Sequence, residues 1–268
     1  MIKYSNFVSV IMSVYNCEEF LNCSIQSIID QTHQSFEFII VNDKSTDKSE
    51  EIINNWKKKD ARIILLNNIK NIGLTKSLNK AILMAKGDII FRMDADDISK
   101  PFRLSDQLSY MQTNDVDILG TYAENIDNNN NILDIGTVPV LNKDIYKMSI
   151  LLNPMIHPSV CFVKSKIINI GLYNEAYNKI QDYQLWFIAM KHKLKFYNIP
   201  KVMLSYRINQ NYNLKKSFSY RLCEFKIRRQ GFKATNQPFY KAIFLFFPFI
   251  IFLIPKNLHN ILSKFDPR

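Results

Sequence analysis

Residues 89–97 read Ile-Ile-Phe-Arg-Met-Asp-Ala-Asp-Asp, a short apolar run that ends in three carboxylates. A run of this length bounded by polar residues predicts a buried β-strand. Similar runs occur earlier in the chain, at residues 8–14, 36–41 and 63–66. Helical patterns lie between them, at residues 18–31, 49–59 and 74–85. Because strands that alternate with helices are typical of βαβ units, we predict an α/β fold with a mostly parallel central sheet flanked by helices.

The pattern is more mixed after Pro101. The predicted elements are a helix at 102–112, a strand near 117–122, a hairpin that turns at 128–131, a helix at 143–152, a strand at 157–163 and a helix at 182–192. In the last of these helices, apolar spacing predicts an inward face made of Leu185, Trp186, Ile188 and Ala189.

The positive charge of the chain is confined to its C-terminal part. Residues 1–200 contain 22 basic and 22 acidic side chains, whereas residues 201–268 contain 13 basic side chains and only Glu224 and Asp266 as acids. A local basic surplus predicts a local anionic partner and argues against a general nucleic-acid binder. The four cysteines form no C-x-x-C pair, and residues 7–13 are too short for a signal-peptide core, so we expect reduced thiols in a cytoplasmic protein.

Polar residues follow three of the predicted strands, which is where parallel sheets place their ligand sites. They are Ser13 to Asn16, Asn42 to Asp47, and Asp94 to Asp97. Three neighbouring carboxylates repel one another unless a cation lies among them, and Mg²⁺ and Mn²⁺ prefer such oxygen ligands. The alternative for this acidic stretch is a solvated turn that caps the following helix.

Two further acids have alternative interpretations. Asp43 could accept hydrogen bonds from a nucleotide base, whereas residues 45–47 are interpreted mainly as a cap for helix 49–59. Asp182 begins an amphipathic helix, where it could act as a cap or as a general base. His157 is an auxiliary candidate, since a lone histidine more often positions a substrate or the fold than performs catalysis.

Five segments occur in a characteristic order along the chain. They are Val-Ser-Val-Ile-Met-Ser-Val-Tyr-Asn at 8–16, Gln-Thr at 31–32, Phe-Glu-Phe-Ile-Ile-Val-Asn-Asp-Lys-Ser-Thr-Asp at 36–47, Asn-Ile-Gly-Leu-Thr-Lys-Ser-Leu-Asn-Lys-Ala at 71–81, and the stretch from Lys86-Gly87-Asp88 to Asp97. Together they resemble the family 2 glycosyltransferases of the A-type fold, the inverting group that includes many bacterial polysaccharide enzymes. The resemblance runs through residues 7–208.

The resemblance implies a role for each matching residue. Ser13 and Asp43 would line a uridine pocket and Asp94 would lie near the ribose, with Tyr15 and Lys76 as further donor-binding residues. Asp96 would bind the metal and the diphosphate, helped by Asp97, and Asp182 would be the catalytic base. His157, Gln181 and Trp186 would help to position the acceptor. The chain departs from the family pattern at Asn42 and Gln181, where the family has acids, and at Lys44, where it has glycine.

The implied reaction is the transfer of a hexose or N-acetylhexosamine from a UDP-sugar to a hydroxyl of a glycan acceptor, with Mn²⁺ or Mg²⁺ as cofactor and with inversion at the anomeric carbon. The implied setting is the biosynthesis of lipopolysaccharide, capsule or exopolysaccharide. Two alternatives stay open: a catalytically silent scaffold that retains the fold, and a sugar-nucleotide pyrophosphorylase. Pyrophosphorylases begin with a glycine-rich phosphate loop, and residues 1–30 contain no glycine.

We predict a catalytic domain at 1–208, with a nucleotide-binding half at 1–100 and an acceptor half at 101–208, followed by a basic and apolar tail at 209–268. In this tail, residues 242–254 carry no charge, but as a helix they would span only about 20 Å of a roughly 30 Å hydrocarbon core. We therefore expect the tail to bind the anionic cytoplasmic surface of the inner membrane, near a lipid-linked acceptor. The alternative is a C-terminal helix that packs on the catalytic domain.

Overall fold

The computed structural model describes residues 4–208, 217–235 and 237–253. Its first half is a series of four parallel strands with helices between them, as predicted. The strands are β1 Val8–Val14, β2 Phe36–Asn42, β3 Ile63–Asn67 and β4 Ile89–Asp94. The helices are α1 Glu18–Ile29, α2 Ser49–Lys59 and α3 Leu74–Met84.

The second half extends the same sheet. Its strands are β5 Ile98–Ser99, β6 Ile118–Ile126, β7 Ile132–Gly136, β8 Cys161–Val163 and β9 Phe196–Arg207. The strand order is β3-β2-β1-β4-β8-β6-β9-β5, and β7 pairs with β6. Only β5, β7 and β8 run antiparallel to their neighbours, so the predicted mostly parallel sheet is confirmed.

Six further helices complete the described part of the chain. They are α4 Arg103–Thr113, α5 Asn142–Met148, α6 Lys164–Asn169, α7 Gln181–Lys191, α8 Phe218–Ala234 and α9 Phe247–Leu253. A 3-10 helix at Phe239–Phe246 leads into α9. The structure contains no helix among the described residues that is long and apolar enough to cross a membrane.

The predicted strand at 157–163 is wrong in its first half. His157–Ser159 forms a 3-10 turn, and only Cys161–Val163 forms a strand. Pro158 lies at the start of this turn, where its fixed φ is tolerated, whereas a proline inside a central strand would remove a ladder hydrogen bond. The predicted hairpin is confirmed, since β6 and β7 are joined through a turn in which Asp127 Oδ1 accepts from the backbone N–H groups of Asn129 and Asn131.

The sheet carries an apolar core on each face. One core includes residues of α1, α2 and α4, and the other includes residues of α3, α5, α7 and α8. Strand residues alternate between the two: Phe91 belongs to the first core and Ile90 to the second. This alternation places Arg92 and Asp94, two and four residues after Ile90, on the face that α3 and α7 cover.

Helix α7 is buried around most of its circumference, more than its apolar spacing predicts. Ile188, predicted to face inward, is only partly buried, whereas Tyr183, Phe187 and Met190 are also buried. The cause is α8, which packs across α7. At Gly231 of α8 a Cβ atom would lie 2.2 Å from Cδ1 of Phe187, so the two helices approach at a distance that only glycine permits.

Candidate active site

The strand ends predicted to form a site lie side by side. In the sheet register, Ser13 is opposite Val41 of β2 on one side and Asp94 of β4 on the other. The backbone N–H of Asp43 donates to the carbonyl of Val14 at 2.8 Å. The carboxyl edge of the sheet therefore brings Ser13, Asp43 and Asp94 to neighbouring positions, as the sequence predicted.

Asp43 organises the loop that leads into α3. Its Oδ1 accepts from Asn68 Nδ2 at 2.8 Å and from the backbone N–H of Ile72 at 2.9 Å, and its Oδ2 accepts from the N–H of Gly73 at 2.7 Å. Asp43 is buried, so these bonds satisfy carboxyl oxygens that water cannot reach. Any contact of this carboxylate with a nucleotide base would be additional to the three bonds.

Hydrogen bonds connect the loops that follow β1 and β2. Asp47 accepts from the N–H of Ser49 at 2.9 Å and from the N–H of Glu18 at 3.0 Å, so one carboxylate caps the first turns of both α2 and α1. This confirms the capping interpretation of this segment. Tyr15 is 51% exposed beside these loops, and Lys76 is exposed in the first turn of α3, so both are accessible to a ligand.

Two of the departures from the family pattern have a structural explanation. Lys44 has φ 63°, in the left-handed region that favours glycine, which accounts for the glycine of the family. Asn42 Nδ2 donates to Asn67 Oδ1 at 3.0 Å and to Glu50 Oε2 at 3.3 Å. The amide of Asn42 therefore supplies donors that an aspartate would lack.

Asp94, Asp96 and Asp97 form a compact acidic cluster, in which one carboxylate oxygen of each lies within 4.8 Å of the others. Burial and the charge of Asp94 raise the pKa of Asp96 to about 6. Burial together with the charges of Asp94 and Asp96 raises the pKa of Asp97. Asp97 is buried, and its Oδ2 has no hydrogen-bond partner among the residues that the structure describes. A hard divalent cation would supply that missing partner and relieve the repulsion, so the donor set fits Mg²⁺ or Mn²⁺.

Arg92, which the sequence interpretation did not single out, is the central cation of the site. It is buried, its NH1 lies 2.5 Å from Asp94 Oδ2, and its NH2 contacts Asp94 Oδ1. Its charge also acts on Asp97, His157, Tyr173 and Asp182. An arginine inside an apolar strand, two residues before an acid, is the sequence signal that could have identified it.

Arg207 is a second residue that sequence reasoning missed. Its backbone N–H donates to Asp97 Oδ1 at 2.8 Å, and its Nε donates to the carbonyl of Asp96 at 2.8 Å. Its other nitrogens bind the carbonyl of Asp127 at 2.6 Å and Asn130 Oδ1 at 2.7 Å. Arg207 thus holds the acidic turn against the β6–β7 hairpin, and no local pattern around it indicates this role.

Asp182 lies in the first turn of α7 and is buried. Its Oδ2 accepts from Asn153 Nδ2 at 2.7 Å, a partner that the sequence did not reveal. Burial raises the pKa of Asp182, while the hydrogen bond from Asn153 and the charge of Arg92 act in the opposite direction. A carboxylate with a raised pKa is a better proton acceptor, which is what a general base requires.

The three auxiliary candidates are mostly shielded from solvent. His157 Nε2 is 2.8 Å from the hydroxyl of Tyr173, and burial lowers the pKa of His157, so the ring is neutral. Trp186 is fully buried and packs edge-on against His157, with the ring centroids 6.1 Å apart. Direct contact between Trp186 and an acceptor is therefore excluded in this conformation, and Trp186 packs against His157 instead. Gln181 is buried beside Asp182.

The structure thus brings together Arg92, the acidic cluster and Asp182, although the acids come from the end of β4 and the start of α7. Their mutual charge interactions converge on Arg92 and Tyr173. Asp43 lies at the neighbouring strand end and has its own partners. The arrangement combines an acidic cluster that could hold a cation with a separate buried carboxylate, which suits the transfer of a group away from a diphosphate.

Comparisons with known proteins agree with this arrangement. The model of the family "Glycosyl transferase family 2" matches residues 9–194. A glycosyltransferase of Methanocaldococcus jannaschii is 37% identical over 257 residues, which are 92% of this chain and 88% of that protein. The O-antigen biosynthesis glycosyltransferase WbnJ of Escherichia coli is 30% identical over 250 residues, 91% of this chain and 97% of that protein.

A UDP-Gal:alpha-D-GlcNAc-diphosphoundecaprenol beta-1,3-galactosyltransferase of Escherichia coli is 29% identical over 236 residues, 85% of this chain and 84% of that protein. Among solved structures, S. aureus TarS 1–349 in complex with UDP-GlcNAc has a TM-score of 0.69 at 18% identity, covering 89% of this chain and 70% of that one. The mannosyltransferase PcManGT from Pyrobaculum calidifontis, in complex with GDP-Man and Mn²⁺, has a TM-score of 0.62 at 17% identity, covering 96% and 68%. The chain therefore belongs to glycosyl transferase family 2 and has the A-type glycosyltransferase fold.

Proposed function

We propose that this chain is an inverting, metal-dependent enzyme that moves a hexose or N-acetylhexosamine from a UDP-sugar to a hydroxyl of a lipid-linked glycan in surface polysaccharide biosynthesis. The observation that carries the proposal is the pairing of a partly buried acidic cluster with a separate buried carboxylate, Asp182, which accepts a hydrogen bond from Asn153. The galactosyltransferase relative, whose name specifies UDP-Gal and a diphosphoundecaprenol acceptor, supports the donor and acceptor classes.

In the proposed reaction Asp182 accepts the proton of the acceptor hydroxyl. The hydroxyl oxygen then forms a bond to the anomeric carbon while the bond from that carbon to the diphosphate oxygen breaks, and UDP leaves with the bonding electrons. A divalent cation held by Asp96 and Asp97 would neutralise the charge that develops on the diphosphate. A single displacement inverts the anomeric configuration and needs no second carboxylate as nucleophile.

The test is a panel of UDP-, GDP- and dTDP-sugars with Mn²⁺, Mg²⁺ or EDTA, and with a diphospholipid-linked sugar or the free sugar as acceptor. We expect transfer from a UDP-sugar that stops in EDTA and prefers the lipid-linked acceptor. NMR of the product should show a β-glycoside from an α-linked donor. An α-glycoside would contradict inversion, and no turnover of any donor would favour the silent scaffold. The family match gives no support to the pyrophosphorylase alternative.

We also propose that the tail at 209–268, of which the structure describes residues 217–235 and 237–253, binds an anionic membrane surface on the cytoplasmic side of the inner membrane. Phe239, Tyr240, Ile243 and Leu253 are 67% to 89% exposed. Lys226, Arg229 and Lys233 are exposed on α8, and within the described part of this segment the sole acid, Glu224, is fully buried. An exposed surface of apolar and basic side chains matches the boundary between lipid headgroups and acyl chains.

Two arginines of the predicted basic tail do not lie on that surface. Arg221 and Arg228 are buried and pair with Glu224, so they cannot face lipid, because α8 also covers α7. One face of α8 therefore packs on α7, which agrees with the alternative of a C-terminal helix that packs on the rest of the protein. Membrane binding is proposed for the opposite face of α8.

The combined change Lys226→Gln, Arg229→Gln and Lys233→Gln should weaken binding to vesicles that contain phosphatidylglycerol. Each basic residue near an anionic surface contributes about 1 kcal/mol, so three changes should lower the partition coefficient by roughly 100-fold. Vesicle co-sedimentation at low salt measures this. The matched control is Lys57→Gln, Lys58→Gln and Lys59→Gln on α2, which removes the same charge from another exposed face. Equal losses in both variants, or equal binding of the wild type to neutral vesicles, would contradict the proposal.

A further inference from the structure

The chain that leaves the C-terminal end of α5 is held by side chains from distant elements. The carbonyls of residues 146, 147, 149 and 150 accept hydrogen bonds, in that order, from Gln237 Nε2 at 2.9 Å, Lys241 Nζ at 3.0 Å, the hydroxyl of Tyr183, and NH1 of Arg228. The last carbonyls of a helix have no partners within the helix, and cations near them are favourable. Three of these four donors, Arg228, Gln237 and Lys241, belong to α8 or to the residues that follow it.

Arg228 is the most strongly fixed of these donors. It is fully buried, and its Nε and NH2 donate to Glu224 Oε1 at 3.0 and 2.7 Å. Arg221 NH1 donates to Glu224 Oε2 at 3.1 Å. The guanidinium of Arg228 also lies 5.6 Å from the ring centroid of Tyr183. A planar guanidinium bound on one side to a carboxylate has a fixed orientation, so its charge-assisted bond to the carbonyl of Ile150 fixes that carbonyl as well.

The fixed segment lies against the catalytic base. Asn153, three residues after Ile150, donates to Asp182 Oδ2 at 2.7 Å. Tyr183, which binds the carbonyl of Ser149 and contacts Arg228, directly follows Asp182 in the first turn of α7. Arg228 therefore contacts the segment that carries Asn153, through the carbonyl of Ile150, and also the residue that follows Asp182, through the ring of Tyr183.

We infer that Arg228 is a positioning residue for the reaction: by holding the carbonyl of Ile150 and the ring of Tyr183, it keeps Asn153 in place to orient the carboxylate of Asp182. This inference rests on the proposed function of Asp182 as the base. A shift of about 1 Å in a catalytic group can lower the rate by about 100-fold. A residue that acts on the base only through other residues can therefore control turnover.

The test uses Arg228→Met in the 268-residue chain, with Lys191→Met as the control, because Lys191 is an exposed cation in the last turn of α7, the helix that carries Asp182. We expect kcat to fall by roughly 10- to 100-fold in Arg228→Met, with the KM for the UDP-sugar and the Kd for UDP unchanged. Lys191→Met should keep the wild-type kcat. If Arg228→Met lowers only Tm while kcat well below Tm is unchanged, the residue is merely structural and the inference is wrong.

A double-mutant cycle with Asn153→Ala separates positioning from general destabilisation. If Arg228 acts through Asn153, the double variant should lose no more activity than Asn153→Ala alone, whereas multiplied losses would contradict the inference. Arg228→Lys serves if Arg228→Met fails to fold. A single ammonium cannot bind both Glu224 and the carbonyl of Ile150 in the geometry of the fork, so we expect a partial loss of kcat from it.

A ¹³C NMR titration of the aspartate carboxyl groups tests the geometry without turnover, with Asp182→Asn to assign the signal. The groups that act on Asp182 are Asn153, Arg92, Tyr173 and Tyr183. Because the bond from Asn153 lowers the pKa of Asp182, loosening it in Arg228→Met should raise that pKa, in the same direction as Asn153→Ala. An unchanged pKa would overturn the inference. A wild type that transfers no sugar would overturn the proposed function instead, and the titration would still decide the positioning.

Discussion

Asp182→Asn is expected to lower kcat by about 10²- to 10⁴-fold, the usual contribution of a general base. The amide has nearly the same shape as the carboxylate, and its oxygen can still accept the hydrogen bond from Asn153 Nδ2. It cannot accept a proton from the acceptor hydroxyl. The affinities for UDP and for the metal should be unchanged, because the acidic cluster stays intact. Steady-state kinetics and UDP titration calorimetry measure the two effects.

The pH dependence of kcat/KM in the wild type is a second test of Asp182 as the base. Burial raises the pKa of Asp182, and the base works only when it is deprotonated, so kcat/KM should fall as the pH drops through a pKa above that of an ordinary aspartate, about 4. This acidic limb should be missing from the residual activity of Asp182→Asn. Asp106→Asn is a suitable control, since Asp106 also lies in the first turn of a helix but binds Lys201. Full activity in Asp182→Asn would contradict the proposed mechanism.

Asp97→Asn is expected to change metal binding and stability in opposite directions. Without metal, Asp97 is a buried carboxylate beside two others, and burial and their charges raise its pKa. A group whose pKa is raised in the folded state destabilises the fold when ionised, so at neutral pH the neutral amide should raise Tm in EDTA. With Mn²⁺ the order should reverse, because the wild type gains binding energy that the variant loses.

A metal at 100 times its Kd stabilises a folded protein by about 2.7 kcal/mol, and most of that gain should vanish in Asp97→Asn together with transferase activity. Thermal unfolding in EDTA and in Mn²⁺ measures both parts. Asp88→Asn is the control, because Asp88 is exposed and precedes β4 at the end of the strand away from the cluster. Equal stabilisation of Asp97→Asn and wild type by Mn²⁺ would place the metal elsewhere.

Much of the fold was predictable because its signals are local. The apolar runs of β1 to β4 and the helical patterns between them lie within a few residues of each other, and parallel strands require the polar ends to share one edge. The capping role of Asp47 could also be predicted from the sequence, since its partner Ser49 is two residues away. The extended 157–163 prediction failed on one local feature, Pro158, which forms a turn instead.

Within the site, the sequence identified the acids but not the groups that set their properties. Arg92 could have been found from its place in an apolar strand, whereas Asn153 and Arg207 carry no local signal. Asn153 is 29 residues from Asp182, and Arg207 is 110 residues from Asp97. Such partners meet only after the chain has folded, because hydrogen bonds and burial depend on positions in space.

The amino-acid sequence by itself determined the α/β alternation, the order of the polar strand ends and the membership of the chain in its family. The tertiary structure alone decided that Arg92 pairs with Asp94, that Trp186 is buried, and that α8 uses Arg228 to hold the segment beside Asp182. The physical reason is the difference in range: periodicity and turn chemistry act between neighbours along the chain, whereas desolvation and charge pairing act between whichever groups packing brings together.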